Sequence, residues 1–338
     1  MELNICKEPP IIYAIYGGVR LAIILGQKSS NAEKWFYNNH IQLYSSKLIL
    51  SHGGVDHLVQ FLSFKDNTYR LFLDETIINE DINSNLNRTN ILDFIMHMIS
   101  EKYYIHAYVD VSKIKGLNYS GKPMAHSLFI VGYDLEKLQL CCWDYNLKGQ
   151  FCKIRISIND FLDAFTSCDA GKDLNKKGLA NKYYFKLYKF RDRTYHFSVD
   201  YMVEQIQAYL SSRDISYYSE PMIYGENIKF GISCWDNVDH YFKENNDIID
   251  ERLLKVILEH KHVMKNRISY LLENNYLYNH RFIRRFCELE QMASKIQILG
   301  LKYNINHNGK SIDEIRTIIN TMVEFEEKIF NDLICSLK

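Results

Sequence analysis

A histidine and an aspartate on two consecutive predicted strands have the types and spacing of a catalytic pair. His126 begins the apolar run HSLFIVGY, and Asp144 lies near the end of the run LQLCCWDY that follows it. Both runs are rich in β-branched and aromatic residues, which is typical of strands, and a short polar segment separates them. The pattern predicts a β-hairpin with both side chains near its open end.

The register of this hairpin decides whether the two side chains meet. A three-residue turn at 134–136 would place His126 directly opposite Asp144, and a register shifted by two residues would make them diagonal neighbours on one face. In either register the carboxylate can hold one imidazole nitrogen, which leaves the other nitrogen to accept a proton. A purely structural hydrogen bond between the two side chains is the commoner alternative.

The hairpin and several other segments resemble one protein family. HSLFIVGYD followed by CWDYN is similar to the His-hydrophobic-Gly-Tyr-Asp hairpin and trailing Asp of the papain-like family of butirosin biosynthesis protein H. Bacterial members of this family occur in peptide and polyketide antibiotic gene clusters. The segments EKWFYNNHIQLY, YIHAYVDV, FGISCWDNVDHYF and EHKHVMKNRISYLLE also look like parts of Bacillus-type members.

The resemblance implies a papain-like α+β fold in which a cysteine at the start of the N-terminal helix attacks a thioester or amide. It further implies that His126 is the general base and that Asp144 orients it. The family's namesake transfers an acyl group from a carrier protein to an aminoglycoside amine. The resemblance therefore implies an acyl or peptidyl carrier protein, with its phosphopantetheine thioester, or a synthetase as partner, and a small amine or hydroxyl compound as acceptor.

The nucleophile that this pattern requires is missing from its expected place near Ile15, Tyr16 or Gly17. Residues 9–27 contain no cysteine, serine or threonine. The nearest thiol is Cys6, which lies nine residues or more too early and is separated from the predicted helix by two prolines. The resemblance therefore implies a cleft whose nucleophile has been lost or replaced.

Three functions are compatible with this sequence. In the first, His126 deprotonates an amine or hydroxyl that attacks a carrier-protein thioester directly, without a covalent intermediate. The substrate would then lie against Tyr16, Gly17 and Gly18, where backbone N–H groups at a helix start face the developing oxyanion.

In the second, the protein is a catalytically degenerate papain-like scaffold that binds a carrier protein or a partner enzyme. The third is a cysteine-dependent peptidase or thioesterase that uses Cys6, or one of the strand thiols Cys141 and Cys142. The strand cysteines are more typical of packed core residues than of nucleophiles.

Composition excludes several other classes. The 338 residues include 41 basic and 41 acidic side chains, so no overall charge favours nucleic acid. The eight cysteines lack the spacing of a zinc site and predict reduced thiols in a cytoplasmic protein, with no metal and no cofactor. The apolar run 11–26 is shorter than the roughly 20 residues of a membrane span and contains Arg20.

The elements that would position the candidate site divide into two predicted domains. Residues 1–195 predict an α+β, papain-like domain with antiparallel strands and helices at 31–50 and 87–103. Residues 196–338 predict a mainly α-helical domain with long amphipathic helices at 250–274, 278–300 and 311–337, the last starting at a capping box of Ser311 and Glu314. The basic segment RFIRRF at 281–286 predicts a solvated face or a docking point for an acidic helix.

Overall fold

The computed structural model describes residues 1–47, 59–62, 68–78, 85–117, 125–146, 150–167, 185–215, 226–244 and 248–337, without the side chains of residues 15, 16, 47 and 226. The chain forms two compact units. Unit 1 comprises Met1–Pro9, Ile15–Ser29 and Tyr69–Arg193, and unit 2 comprises Pro10–Ala14, Ser30–Thr68 and Thr194–Lys338.

Each unit is formed by several separate stretches of the chain. One passage between them, from Arg193 to Thr194, lies next to the boundary predicted at residue 195. Two earlier stretches nevertheless belong to unit 2, because strands from 30–68 pair with a strand from the C-terminal half. A strand pairing of this kind cannot be read from local composition.

Unit 1 is built on a six-stranded antiparallel sheet in the order β3-β8-β4-β5-β6-β7. Its strands are β3 (Leu73–Ile77), β4 (Tyr104–Asp110), β5 (Ala125–Asp134), β6 (Gln139–Tyr145), β7 (Phe151–Ser157) and β8 (Phe185–Phe190). Its helices are α1 (Ile15–Gly26), α3 (Ile91–Ser100) and α4 (Ile158–Thr166). The α+β class and the consecutive antiparallel strands that the sequence predicted are confirmed.

Local chemistry explains where the helices of unit 1 begin. The Ser157 hydroxyl accepts the N–H of Asp160 at 2.9 Å and caps α4 as it leaves strand β7. Helix α3 follows Asn90. The hydroxyl of Thr89, just before the helix, donates to the Asn87 side chain.

Unit 2 combines a small sheet with a set of helices. Strands β1 (Leu43–Lys47), β2 (Val59–Phe61) and β9 (Glu226–Phe230) form an antiparallel sheet in the order β2-β1-β9. The helices are α2 (Ser30–Asn38), α5 (Val199–Leu210), α6 (Cys234–Glu244), α7 (Glu251–Glu273), α8 (Arg281–Asn306) and α9 (Gly309–Leu337). The helix predicted over 31–50 therefore ends at residue 38, and the C-terminal region contributes a strand as well as helices.

Helix α7 lies within one residue of its predicted bounds at both ends. Helix α8 begins three residues after its predicted start, and α9 begins two residues before its predicted start. Asp250 caps α7, because its carboxylate accepts the N–H of Arg252 at 2.9 Å. Helix α9 begins at Gly309, and the Asn308 side chain accepts the N–H of Lys310 at 3.1 Å. The predicted capping box was wrong, since Ser311 lies inside the helix.

The core of unit 2 contains buried charges as well as apolar side chains. Lys261 Nζ lies 2.5 Å from Glu326 Oε1, and both side chains are fully buried. Tyr209 donates its hydroxyl proton to Glu326 Oε2 at 3.0 Å, and Trp235 donates its indole N–H to the Tyr209 oxygen at 2.9 Å. In the described part of the chain no helix is long and apolar enough to cross a membrane.

Candidate functional site

The predicted hairpin is present, but its turn is longer than expected. Strands β5 and β6 pair Asp134 with Gln139, so four residues form the turn instead of three. Leu138 adopts the left-handed conformation, with φ at 50°, that lets the chain reverse. A four-residue turn alone would shift the expected register by an odd number of residues and send the two candidate side chains to opposite faces.

A β-bulge in β5 returns His126 and Asp144 to the same face of the sheet. Gly132 pairs with Cys141 and Ile130 pairs with Cys142, so β5 carries one extra residue at Val131. The N-terminal segment crosses here, and a Cβ on Gly132 would lie 2.5 Å from the carbonyl oxygen of Met1. Beyond the bulge, the pairing of Phe129 with Trp143 leads to Leu128 beside Asp144, which makes His126 a diagonal neighbour on the same face.

The two candidate side chains share a face but do not form a hydrogen bond. The Nδ1 atom of His126 lies 3.1 Å from the carbonyl oxygen of Ser127. The Oδ1 atom of Asp144 accepts the backbone N–H of Tyr145 at 2.7 Å, and its Oδ2 has no hydrogen-bond partner within the described ranges. The carboxylate therefore does not orient the imidazole in this structure.

Burial changes the chemistry of Asp144. Its side chain is fully buried, and this desolvation raises the pKa of the carboxyl to about 7, against a smaller opposite effect of the Tyr145 N–H. Near neutral pH the group therefore exists partly as the uncharged acid. A partly protonated acid is a weak orienter for an imidazolium.

The face of the sheet that carries His126 is covered by α3 and α4. His126 lies opposite Val109 of β4, and Ala107, two residues earlier on that strand, lies opposite Phe185 of β8. The rings of Phe94 in α3 and Phe165 in α4 lie 5.6 and 5.9 Å from the ring of Phe185. Because side chains alternate along a strand, His126 belongs to this same face.

Helix α1 packs on the other face. Gln27 donates to the hydroxyl of Tyr104 at 2.8 Å, and the guanidinium of Arg20 lies 2.7 Å from the carboxylate of Glu75. Tyr104 and Glu75 both lie opposite Tyr188, which is three residues from Phe185 on β8 and points the other way. The strand register therefore assigns His126 to the face away from α1, although, in addition to burial, its charge helps to lower the pKa of the His106 ring.

Gly17 and Gly18 are the described residues at the start of α1 that were predicted to lie opposite the base. Gly17 is half-buried, and a Cβ added there would lie 3.5 Å from the Tyr69 hydroxyl, an ordinary contact distance. Gly18 is buried, and the Tyr16 side chain lies outside the described residues. Among the described residues, no His126 atom lies within 4 Å of a Cβ built on Gly17.

Cys6 lies near the end of α1 and not near its start. Its backbone N–H donates to the carbonyl of Ala22 at 2.8 Å, and a Cβ on Gly26 would lie 2.5 Å from the Cys6 nitrogen. Burial raises the pKa of its thiol, and the charge of Glu8 acts in the same direction. A raised thiol pKa disfavours the reactive thiolate form, and the backbone hydrogen bond of Cys6 joins it to α1.

The strand thiols are no better placed for catalysis. Cys142 is fully buried, and burial raises the pKa of its thiol well above the ordinary value. Cys141 is buried as well, and its thiol pKa is also raised. Both behave as core residues, which is what their positions on β6 predicted.

A polar cluster on the α1 face was missed by the sequence analysis. Glu75 joins two cations, since Lys186 Nζ lies 3.1 Å from the second carboxylate oxygen. His106 lies opposite Lys186, and its ring is close to those of Tyr108 and Tyr188. Burial lowers the pKa of His106 to about 3, and the charge of Lys186 adds to this, so the ring is neutral.

A signal for this cluster exists in the sequence. Lys186 interrupts the apolar strand FKLYKF, and Glu75 interrupts LDETI. A charged residue inside a central strand needs a partner of opposite charge. The partner could not be chosen from sequence, because β3 and β8 are separated by more than 100 residues.

The described residues contain no group of three or more His, Cys, Asp and Glu side chains placed to hold a metal ion. No family model matches this chain, and no curated protein matches it. The resemblance to the butirosin protein H family therefore rests on the quoted sequence segments alone.

Proposed function

We propose that this protein acts as a binding protein, a catalytically degenerate papain-like scaffold that engages a carrier protein or a partner enzyme of specialised-metabolite biosynthesis. The observation that carries the proposal is the separation of the three groups that covalent catalysis needs. His126 is bonded to a carbonyl, Asp144 to a backbone N–H, and Cys6 lies against Ala22 of α1. A cytoplasmic location is part of this proposal.

The choice of partner comes from the sequence resemblance. The segments that resemble the family include the hairpin of unit 1 and the helix EHKHVMKNRISYLLE of unit 2, so the resemblance extends over both units. In this proposal the protein keeps the surface that delivers the substrate in the acyl-transfer enzymes it resembles, and it has lost their nucleophile. We therefore propose an acyl or peptidyl carrier protein as the first partner to test.

The test measures binding and chemistry on the same sample. Purified protein is mixed with carrier protein in its apo, holo and acyl-loaded forms, complex formation is followed by calorimetry, and the mass of the phosphopantetheine arm is recorded over time. The proposal expects a complex and an unchanged acyl load, both unaffected by His126→Ala. If no form of the carrier protein binds, the proposal is wrong.

A second candidate function is direct acyl transfer with His126 as the general base. It is favoured by the contact between His126 Nδ1 and the Ser127 carbonyl, because the N–H donated there leaves the lone pair on Nε2. In this reaction Nε2 takes the proton of an amine or hydroxyl, the acceptor attacks the thioester carbonyl, and the carrier thiol leaves. Acyl transfer to an added amine, lost by at least 100-fold in His126→Ala with the fold intact, would select this function over the first.

A further inference from the structure

The start of α8 carries a row of arginines on an exposed surface of unit 2. Arg281, Arg284 and Arg285 fall within the first five residues of the helix, and the first turn contains no acidic residue. Residues three and four apart lie on one side of a helix, about 5–6 Å from each other. We call these three residues the arginine row.

The three guanidinium groups of the row differ in their exposure and in their carboxylate partners. Arg285 lies 2.6 Å from Asp332 of α9 and is mostly covered, whereas Arg284 is 88% exposed and lies 3.2 Å from Glu288, one turn further along. Arg281 is exposed, lies 5.4 Å from the Phe282 ring, and has no carboxylate partner in the described part of the chain. Two of the three guanidinium groups therefore face solvent.

This placement of charge opposes the stability of the helix. The first N–H groups of a helix carry a partial positive charge, so acidic residues stabilise this end and basic residues destabilise it by about 0.3–1 kcal/mol each. The neighbouring α7 follows the favourable pattern, with Asp250 as cap and Glu251 in its first turn. Three arginines at the start of α8 thus carry a cost that a binding role would explain.

The surroundings of the row indicate a short acidic partner. Glu288 and Glu290 follow within one to two turns, so a long polyanion such as nucleic acid would meet carboxylates as it left the row. The chain as a whole has a formal charge of zero. Tyr278, three residues before the helix, is 79% exposed, and exposed Tyr beside Arg is typical of protein interfaces.

We propose that the arginine row of α8 is the docking surface for an acidic amphipathic helix of a partner protein, which places carboxylates against Arg281 and Arg284 and an apolar side chain against Tyr278. This inference rests on the proposed binding function, but it names the surface and the chemistry of its partner. The interaction is electrostatic and weakens as salt concentration rises.

The test uses a fluorescein-labelled synthetic helix of Glu, Leu and Ala, with Glu and Leu on opposite faces, and follows its binding by anisotropy. The double variant Arg281→Glu/Arg284→Glu is compared with Lys302→Glu/Lys310→Glu. The control makes the same charge change at two exposed positions away from the row, near the end of α8 and at the start of α9. We expect at least a tenfold loss of affinity in the first variant and less than twofold in the second.

The same variant separates binding from folding. Acidic residues at the start of α8 suit the helix, and this offsets the repulsion from Glu288 that a carboxylate at position 284 introduces, so Arg281→Glu/Arg284→Glu should unfold at a temperature close to that of the wild type. Loss of peptide binding without loss of stability supports the docking surface. Unchanged binding in this variant overturns it, and so does arginine-dependent binding of a duplex oligonucleotide or of phosphatidylserine vesicles in preference to the peptide.

The binding of carrier protein to the same variant shows whether the docking surface or the proposed carrier-protein function is wrong. If the carrier protein binds equally well to the wild type and to Arg281→Glu/Arg284→Glu, the docking surface is wrong and the binding function stands. If no carrier protein binds but the acidic peptide does so through the row, the surface stands and the carrier protein is the wrong partner.

Discussion

Asp144 and Tyr145 form the one hydrogen bond that the Asp144 carboxyl makes to the described residues: Oδ1 accepts the Tyr145 N–H at 2.7 Å, while Oδ2 is buried without a partner. A buried carboxylate in this position is costly, which is why burial raises its pKa to about 7. This contact replaces the expected one with His126, and it makes Asp144 a source of pH dependence.

The first prediction concerns Asp144→Asn and the stability of unit 1. In the unfolded chain the carboxyl ionises near pH 4, whereas in the folded chain it keeps its proton until about pH 7. The wild type therefore loses stability as pH rises between these values, and Asp144→Asn does not. Relative to the wild type, we expect the variant to gain about 2 kcal/mol in free energy of unfolding between pH 5 and pH 8, measured by urea denaturation.

Asp93→Asn is a suitable control for this experiment, because it neutralises an exposed carboxylate of α3. Its difference from the wild type should change by less than about 0.5 kcal/mol over the same pH range. A parallel stability profile for the wild type and Asp144→Asn would show that the carboxyl is ionised normally in the folded protein.

The second prediction concerns the reactivity of the thiols. Burial raises the pKa values of Cys6 and Cys142, whereas Cys335 is exposed on α9. We expect iodoacetamide to modify Cys335 first, Cys6 more slowly, and Cys142 only after unfolding, as read by peptide mass spectrometry. Modification of Cys6 ahead of Cys335 would contradict this order and would revive Cys6 as a nucleophile.

The third prediction concerns the buried ion pair of unit 2. Removing one partner leaves an uncompensated charge in the core, so Lys261→Met and Glu326→Gln should each lower the free energy of unfolding by about 3–5 kcal/mol. The double variant Lys261→Met/Glu326→Gln should lose clearly less than the sum of the two single changes, because neither member of the pair then leaves the other as an unpaired charge. Additive losses in urea denaturation would mean that the two groups do not interact.

The fourth prediction concerns the packing of α7 against α8. A Cβ on Gly300 would lie 2.6 Å from the Cδ1 atom of Leu254, whose side chain is fully buried and would have to shift. This overpacking costs about 1–3 kcal/mol, against about 1 kcal/mol gained by replacing a glycine inside a helix, so Gly300→Ala should destabilise unit 2. Gly309→Ala is the matched control, since a Cβ at that helix start meets nothing within 4 Å. We expect the thermal midpoint to fall in Gly300→Ala and to stay equal or rise in Gly309→Ala, where a better helix former replaces glycine.

The sequence by itself determined many of the individual elements. Strands β4 to β7 follow from runs of β-branched and aromatic residues, and α7 follows from an apolar stripe bounded by Asp250 and Asn274. These patterns are local, because side-chain periodicity reflects which face of one element is buried. The sequence also indicated that the hairpin carries His126 and Asp144 on neighbouring strands.

Only the tertiary structure decided what those residues face. An extra residue at Val131 set the register of β6, and the pairing of β4 with β5 placed His126 opposite Val109. Neither effect is visible in composition, since a bulge depends on the segment that crosses at Gly132 and a face depends on which helix covers it. The pairing of β1 with β9, about 180 residues apart, likewise arises from the fold and not from local pattern.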